Sequence, residues 1–378
     1  MRAMEVLSAL TDVRDDYVLE SALPSVSMTS SKTLPKPRRG GRDHSLGRAF
    51  SDGWVAAAVC TVVAIGTLAG MIWLGQRPLT PPVSSDTPAT SEETPVTEGI
   101  HTSSLTFISR GDGTCSVKAS DTFGSGENTH LVIPEVSPDG DRVVAVEDYG
   151  FIWKTDLKSV SLPDTVTSIG QWAFAECSSL ETVEMPRSLT SIGTAAFLEC
   201  TALREITLPE GLSTLGDSAF STCTALTRVV LPTTLKAIPQ WCFYNCAALE
   251  ELTFAEGLTE IGYSAFYGCT SMTTVTLPAT LRTLSKGAFA ACSRLLSVTC
   301  PEGLATVQSL AFDQCYSLAT VTLPTTLETL AADAFRDCTA MRTVVFTGTR
   351  AEWRALIGDT SPLPTGCNTH CADGVVKN

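Results

Sequence analysis

Cysteine and histidine are the residues of this 378-residue chain best suited to metal or redox chemistry, 14 of the first and 4 of the second. The histidines, His44, His101, His130 and His370, lie far apart, which argues against a multi-histidine metal centre. Cys367 and Cys371 flank His370 and have the spacing of a pair or a metal clip. With no further ligand nearby, a capping role is the preferred reading. No GxSxG elbow, GxxxxGK[ST] loop, HExxH or dinucleotide fingerprint occurs. The neighbouring carboxylates Glu250 and Glu251 fall on a strand, where successive side chains point to opposite faces and cannot share a substrate. No enzyme, no cofactor and no metal site are therefore expected.

The remaining cysteines follow a rhythm. Phe151, Phe174, Phe197, Phe220, Phe243, Phe266, Phe289, Phe312 and Phe335 recur every 23 residues. Cysteine follows three residues after each of the last eight, from Cys177 to Cys338, and Leu or Met three residues later again. Proline closes the unit at Pro163, Pro186, Pro209, Pro232, Pro278, Pro301 and Pro324, with Ala255 the internal exception. Such a period means a solenoid whose coils bury their apolar faces against one another. In Leu180-Glu181-Thr182-Val183-Glu184-Met185-Pro186, Val183 and Met185 point inward and Thr182 and Glu184 outward, as in one short strand per coil. Stacked coils would build one long parallel sheet, with the Gly193–Cys200 portion as a helical turn on the opposite side. Equivalent cysteines then form a column. Parallel Cβ vectors suit a disulfide poorly, so buried thiols are preferred over disulfides, metal sites or nucleophiles.

The unit LTSIGTAAFLECTALREITLPEG resembles the leucine-rich repeat of the BspA type. The resemblance covers roughly residues 102–374. It includes a leading hairpin cap at Leu105-Thr106-Phe107 through Val132-Ile133-Pro134, and a closing segment from Gly348-Thr349 past Trp353 to Gly374. It implies a surface protein of a host-associated bacterium or protozoan parasite, with adhesion to glycoproteins or cells as the family's varied role.

Two surfaces follow from the period. The outward strand columns, Glu184 to Val345 and Thr182 to Thr343, make a Thr-rich sheet able to meet a glycan or an extended polypeptide, although Thr is also simply a good exposed strand former. In the turns, Trp241, Tyr244, Tyr263 and Tyr267 fall in two adjacent units, and Tyr244 and Tyr267 are 23 apart and hence stacked. These rings either cover the core or form a binding hot spot. They are the first candidate for a ligand site. Trp172, three units away, is too distant to join them.

The segment Trp54–Leu74 is 21 residues without a charge, enough for a single transmembrane helix. Six Lys and Arg against Asp43 in residues 31–48 put residues 1–53 in the cytoplasm and residues 78–378 outside. Residues 1–53 carry 8 bases and 7 acids, leaving 18 bases and 33 acids of the chain's 26 and 40 for everything after. That acidic balance argues against nucleic acid as a partner. Gly66 and Gly70 form a GxxxG match through which two copies could dimerise.

The expected organisation is a cytoplasmic segment over 1–53 (a short helix within Met4–Glu20, then a basic linker), a membrane span over 54–74, and a Pro/Thr/Ser-rich stalk over 75–101. An N-terminal β cap with a degenerate first repeat follows over 102–150, then the repeats over 151–346 and a C-terminal cap over 347–378. The functional expectation is a cell-surface protein in a bacterial membrane that binds an extracellular protein or glycan in adhesion. The alternatives are a transmembrane sensor signalling through residues 1–53 and a structural protein of the envelope.

Overall fold

Three residues can place one side chain inside and two outside only if they are extended. The computed structural model describes residues 104–123, 129–358 and 361–377, and in the strand Glu205–Thr207 Ile206 is buried between exposed Glu205 and Thr207. Val183 and Met185 are half-buried and packed on the core, as their alternation requires. Pro186 then ends the strand, its carbonyl accepting Leu189 N–H at 3.2 Å to close a turn.

Each coil nevertheless carries two strands rather than the one expected. After the turn, Ser191–Ile192 forms a second, two-residue strand with Ile192 buried, and it pairs in parallel with Thr214–Leu215 at a 23-residue offset. Two residues are too few to show as alternation, so only the ladder between coils reveals them. Glycine follows because the coils approach closely there. A Cβ at Gly193 would lie 2.5 Å from Gln171 N.

The third side is not the helical turn expected either. It is a run of turns with left-handed residues at fixed places, such as Ala195 (φ 53°) and Glu199 (φ 58°). Alternate N–H groups bond the next coil, as Phe174 N–H to Ala196 O and Phe197 N–H to Ala219 O, both 2.8 Å, while those between, such as Leu198 N–H to Ala195 O at 3.1 Å, close turns within the coil. A helix would use the alternate donors internally too, whereas here the neighbouring coil satisfies them.

The single long sheet expected is also interrupted. Thr214–Leu215 and Ala237–Ile238 fall in separate sheets. Gly193 N–H bonds Ile169 O and Gly262 N–H bonds Ile238 O, both at 2.9 Å, but Pro239 occupies the same position between them and has no N–H to give. The longer strands part twice, between Thr182–Glu184 and Glu205–Thr207 and between Glu251–Thr253 and Thr274–Thr276. The second of these follows Phe254-Ala255, which stand where most other coils have Leu-Pro, and Phe254 lies edge-on to Phe266 at 5.7 Å. The turn-side ladder runs on across all three breaks, with Glu176 N–H on Leu198 O, Thr222 N–H on Tyr244 O and Asn245 N–H on Tyr267 O, each at 2.7 Å.

Inside, consecutive phenylalanines from Phe151 to Phe335 stack at 5.2–5.7 Å. Each thiol of the 23-residue column from Cys177 to Cys338 donates to a phenylalanine carbonyl of the preceding coil, Cys177 to Phe151 O at 3.2 Å and Cys338 to Phe312 O at 3.1 Å. Both ends are closed. The hairpin Leu105–Ser109 with Thr114–Ala119 continues in parallel into Arg142–Val146. At the other end the helix Arg350–Ile357, with a Thr349/Glu352 capping box, buries Trp353, while Asn368–Cys371 pairs with Thr343–Phe346 on one side and Gly374–Lys377 on the other. Caps keep solenoid edges from open pairing.

The transmembrane helix requires correction as a part of this fold. Among the described residues no helix is long and apolar enough to cross a membrane. Arg350–Ile357 has 8 residues, a length of about 12 Å where a crossing needs about 30 Å. Trp54–Leu74, its Gly66 and Gly70, and the segments 1–53 and 75–101 lie outside the described residues.

Candidate functional site

The turn side sets the site because its ladder fixes where side chains leave the coil. Trp241 takes a left-handed conformation (φ 53°) and bonds Tyr263 O at 2.9 Å, so the two backbones lie side by side. The indole meets the Tyr263 ring edge-on, with centroids 5.3 Å apart and planes at 80°. Tyr244 and Tyr267 stack at 4.9 Å and 10°. Edge-to-face and offset-stacked pairs are the favoured geometries of aromatic rings. All four rings are half-buried, and burial, followed by the neighbouring Tyr267 and Tyr263, pushes the Tyr244 hydroxyl above its usual pKa. The Lys286 ammonium lies 6.0 Å from the centre of the Tyr263 ring.

A groove of about 390 Å³ opens beside Tyr263, with Asp217, Gln240, Glu260, Ser285, Lys286 and Gln308 along it. Gln240 Nε2 donates to Asp217 Oδ2 at 2.8 Å, and Ser285 Oγ donates to Glu260 Oε1 at 3.1 Å. Lys286 N–H donates to Gln308 Oε1 at 3.0 Å. The arrangement sets aromatic surface next to oriented donors and acceptors, as ligand-recognition sites do.

The Thr-rich sheet has a hollow of about 510 Å³ between Thr274–Thr276 and Ser297–Thr299, bounded also by Glu256. Farther along that face Arg228 and Glu251 form an ion pair at 3.5 Å with both side chains largely exposed, a contact that adds little stability.

The sequence reading passed over a second aromatic group. Tyr149 stacks on Trp172 at 6.5 Å and 11°, and Tyr149 and Trp153 are 46% and 54% exposed. Tyr149 stands 23 residues before Trp172, so extending that column one coil upstream was the available signal. Trp172 does not join the Trp241 group. Near the C-terminus Cys367 is buried and Cys371 half-buried, and among the described residues no group of three or more metal-binding side chains forms.

Stacked coils with two short parallel strands, buried Phe and Cys columns and an aromatic outer patch define a capped leucine-rich-repeat solenoid. The model of the BspA type leucine rich repeat region matches in 6 copies over residues 144–272 and 223–342, together just over half of the chain. The chain belongs to that family. Among solved structures it is similar to a Treponema pallidum leucine rich repeat protein, at 30% identity over 52% of this chain and 91% of that one, with a TM-score of 0.47. It is also similar to a leucine rich cell surface protein of Faecalibacterium prausnitzii, at 22% identity over 74% and 100%, with a TM-score of 0.32. The pneumococcal vaccine antigen PcpA shares 15% identity over 71% and 91%, with a TM-score of 0.42. No curated protein matches the chain.

Proposed function

We propose that this chain is a bacterial cell-surface binding protein that adheres to an extracellular protein or glycan through the Trp241–Tyr244–Tyr263–Tyr267 patch. The observation that carries the proposal is the convergence of four half-buried rings from two adjacent coils beside a polar groove. Large, rigid aromatic side chains dominate binding energy at interfaces because they bury much area at little entropic cost. Family membership supports surface display, and the acidic balance after residue 53 supports a partner other than nucleic acid. Binding rather than catalysis is proposed because the sequence holds no catalytic motif.

The test is retention of beads carrying the full-length protein on immobilised mucin and extracellular-matrix glycoprotein. Saturable retention lost in a Tyr244→Ala/Tyr267→Ala variant is the expected result. Retention that survives the double substitution would move the site to the Thr-rich sheet. Absence of retention on every surface would overturn adhesion.

A further inference from the structure

We infer that the groove beside Tyr263 takes a neutral, hydroxyl-rich saccharide chain, an inference that rests on the turn-side patch being the binding surface. Asp217, Gln240, Tyr263 and Lys286 are consecutive members of one 23-residue column, and Gln308 continues the groove into a fifth coil. At the ~4.8 Å spacing of paired strands, five coils run about 19 Å, which fits an extended chain rather than a compact metabolite.

The wall chemistry selects the class. A sugar ring presents a face of C–H groups and an edge of hydroxyls that both donate and accept. Tyr263, held at 5.3 Å from Trp241 with planes at 80°, lines the groove and supplies aromatic surface for the first. Gln240, Ser285, Glu260 and Gln308 serve the second, since amides and hydroxyls do both and carboxylates accept. These groups are held before any ligand arrives. Gln240 is tied to Asp217 at 2.8 Å, Ser285 to Glu260 at 3.1 Å, and Gln308 to the Lys286 backbone at 3.0 Å. Orientation in advance lowers the ordering cost of binding.

Charge excludes the acidic glycans. Asp217 and Glu260 flank the groove against the single cation Lys286, whose ammonium already sits over the Tyr263 ring at 6.0 Å. A sialylated or sulfated chain would bring its anions beside two carboxylates. A neutral one meets no such repulsion.

The experiment is calorimetric titration of the full-length protein with cellohexaose, xylohexaose, mannohexaose and maltohexaose, beside sialyllactose, a heparin hexasaccharide and a collagen peptide. Saturable binding of at least one neutral hexasaccharide is expected. Tyr263→Ala should weaken it roughly tenfold or more, Gln308→Ala, at an exposed position, several-fold, and Tyr263→Phe little. Binding by no neutral probe, binding confined to the acidic probes or the peptide, or neutral binding untouched by Tyr263→Ala would each overturn the inference. Failure here is separable from failure of the proposed function. Retention on glycoprotein that needs Tyr244 and Tyr267 while every sugar stays silent removes the groove and keeps the adhesin. Sugar binding that needs Tyr263 while the double variant adheres normally removes the tyrosine pair and keeps the groove.

Discussion

Phe243 and Tyr244 are chain neighbours, and each stacks on the residue 23 positions later, yet the two stacks do different things. Phe243 meets Phe266 at 5.3 Å and 6° in the interior with no exposure, whereas Tyr244 meets Tyr267 at 4.9 Å and 10° with both rings half-buried. The geometry is nearly the same because the period imposes it on both. Stacking is therefore a consequence of the solenoid and does not by itself mark a function. What separates the pairs is the side of the coil. One is enclosed by Cys246, Leu249 and the next coil's core, and the other is left where a partner can reach it.

That comparison is most sharply broken at Phe243. Replacing it with Ala should cost about 3–5 kcal/mol of unfolding free energy, as buried Phe deletions do. Chemical denaturation would measure this, and a cost equal to that of Tyr244→Ala would erase the distinction.

Alkaline pH attacks the same interior through the thiols. The ordinary thiol value is 9.0, and burial pushes Cys177, Cys292 and Cys338 up to about 12, with Cys200, Cys223 and Cys269 well above their ordinary range for the same reason. Above pH 9 the folded chain keeps protons that the unfolded chain has lost. Stability present below pH 9 should therefore fall as pH rises toward 12, by up to about 1.4 kcal/mol per pH unit for each such thiol. Melting temperatures between pH 8 and 10.5 would show it, and a flat profile would mean the thiols are accessible to water.

A smaller effect is expected at Cys246, whose Sγ donates to Phe220 O at 3.2 Å. Cys246→Ala should destabilise by about 1–2 kcal/mol, the sum of a small cavity and an unpaired carbonyl. The smallest stability change belongs to Tyr244→Ala, about 1 kcal/mol for loss of one half-exposed ring contact. Its effect should appear instead in adhesion, and a large stability loss there would make the pair part of the core.

The membership of each column was legible in the sequence. Counting by 23 put the phenylalanines and thiols inside, paired Tyr244 with Tyr267, and gave Val183 and Met185 their inward side, because a covalent period translates directly into stacked positions. Contacts between different columns were not legible. Trp241 and Tyr263 are 22 residues apart and belong to different columns, so their edge-on meeting depends on ring orientation and on the left-handed backbone at Trp241. The groove depends likewise on Asp217, Gln240 and Lys286 sharing a column with Tyr263 while Glu260, Ser285 and Gln308 approach from the strand side.

The chain by itself thus determined a coiled ladder and which residues stand above one another in it, since both follow from a fixed repeat and from apolar side chains seeking the interior. Tertiary structure decided the second strand in each coil, the left-handed turns, and the break at Pro239. Those depend on where each N–H finds its carbonyl, and for most of them the carbonyl lies one coil away rather than nearby in sequence.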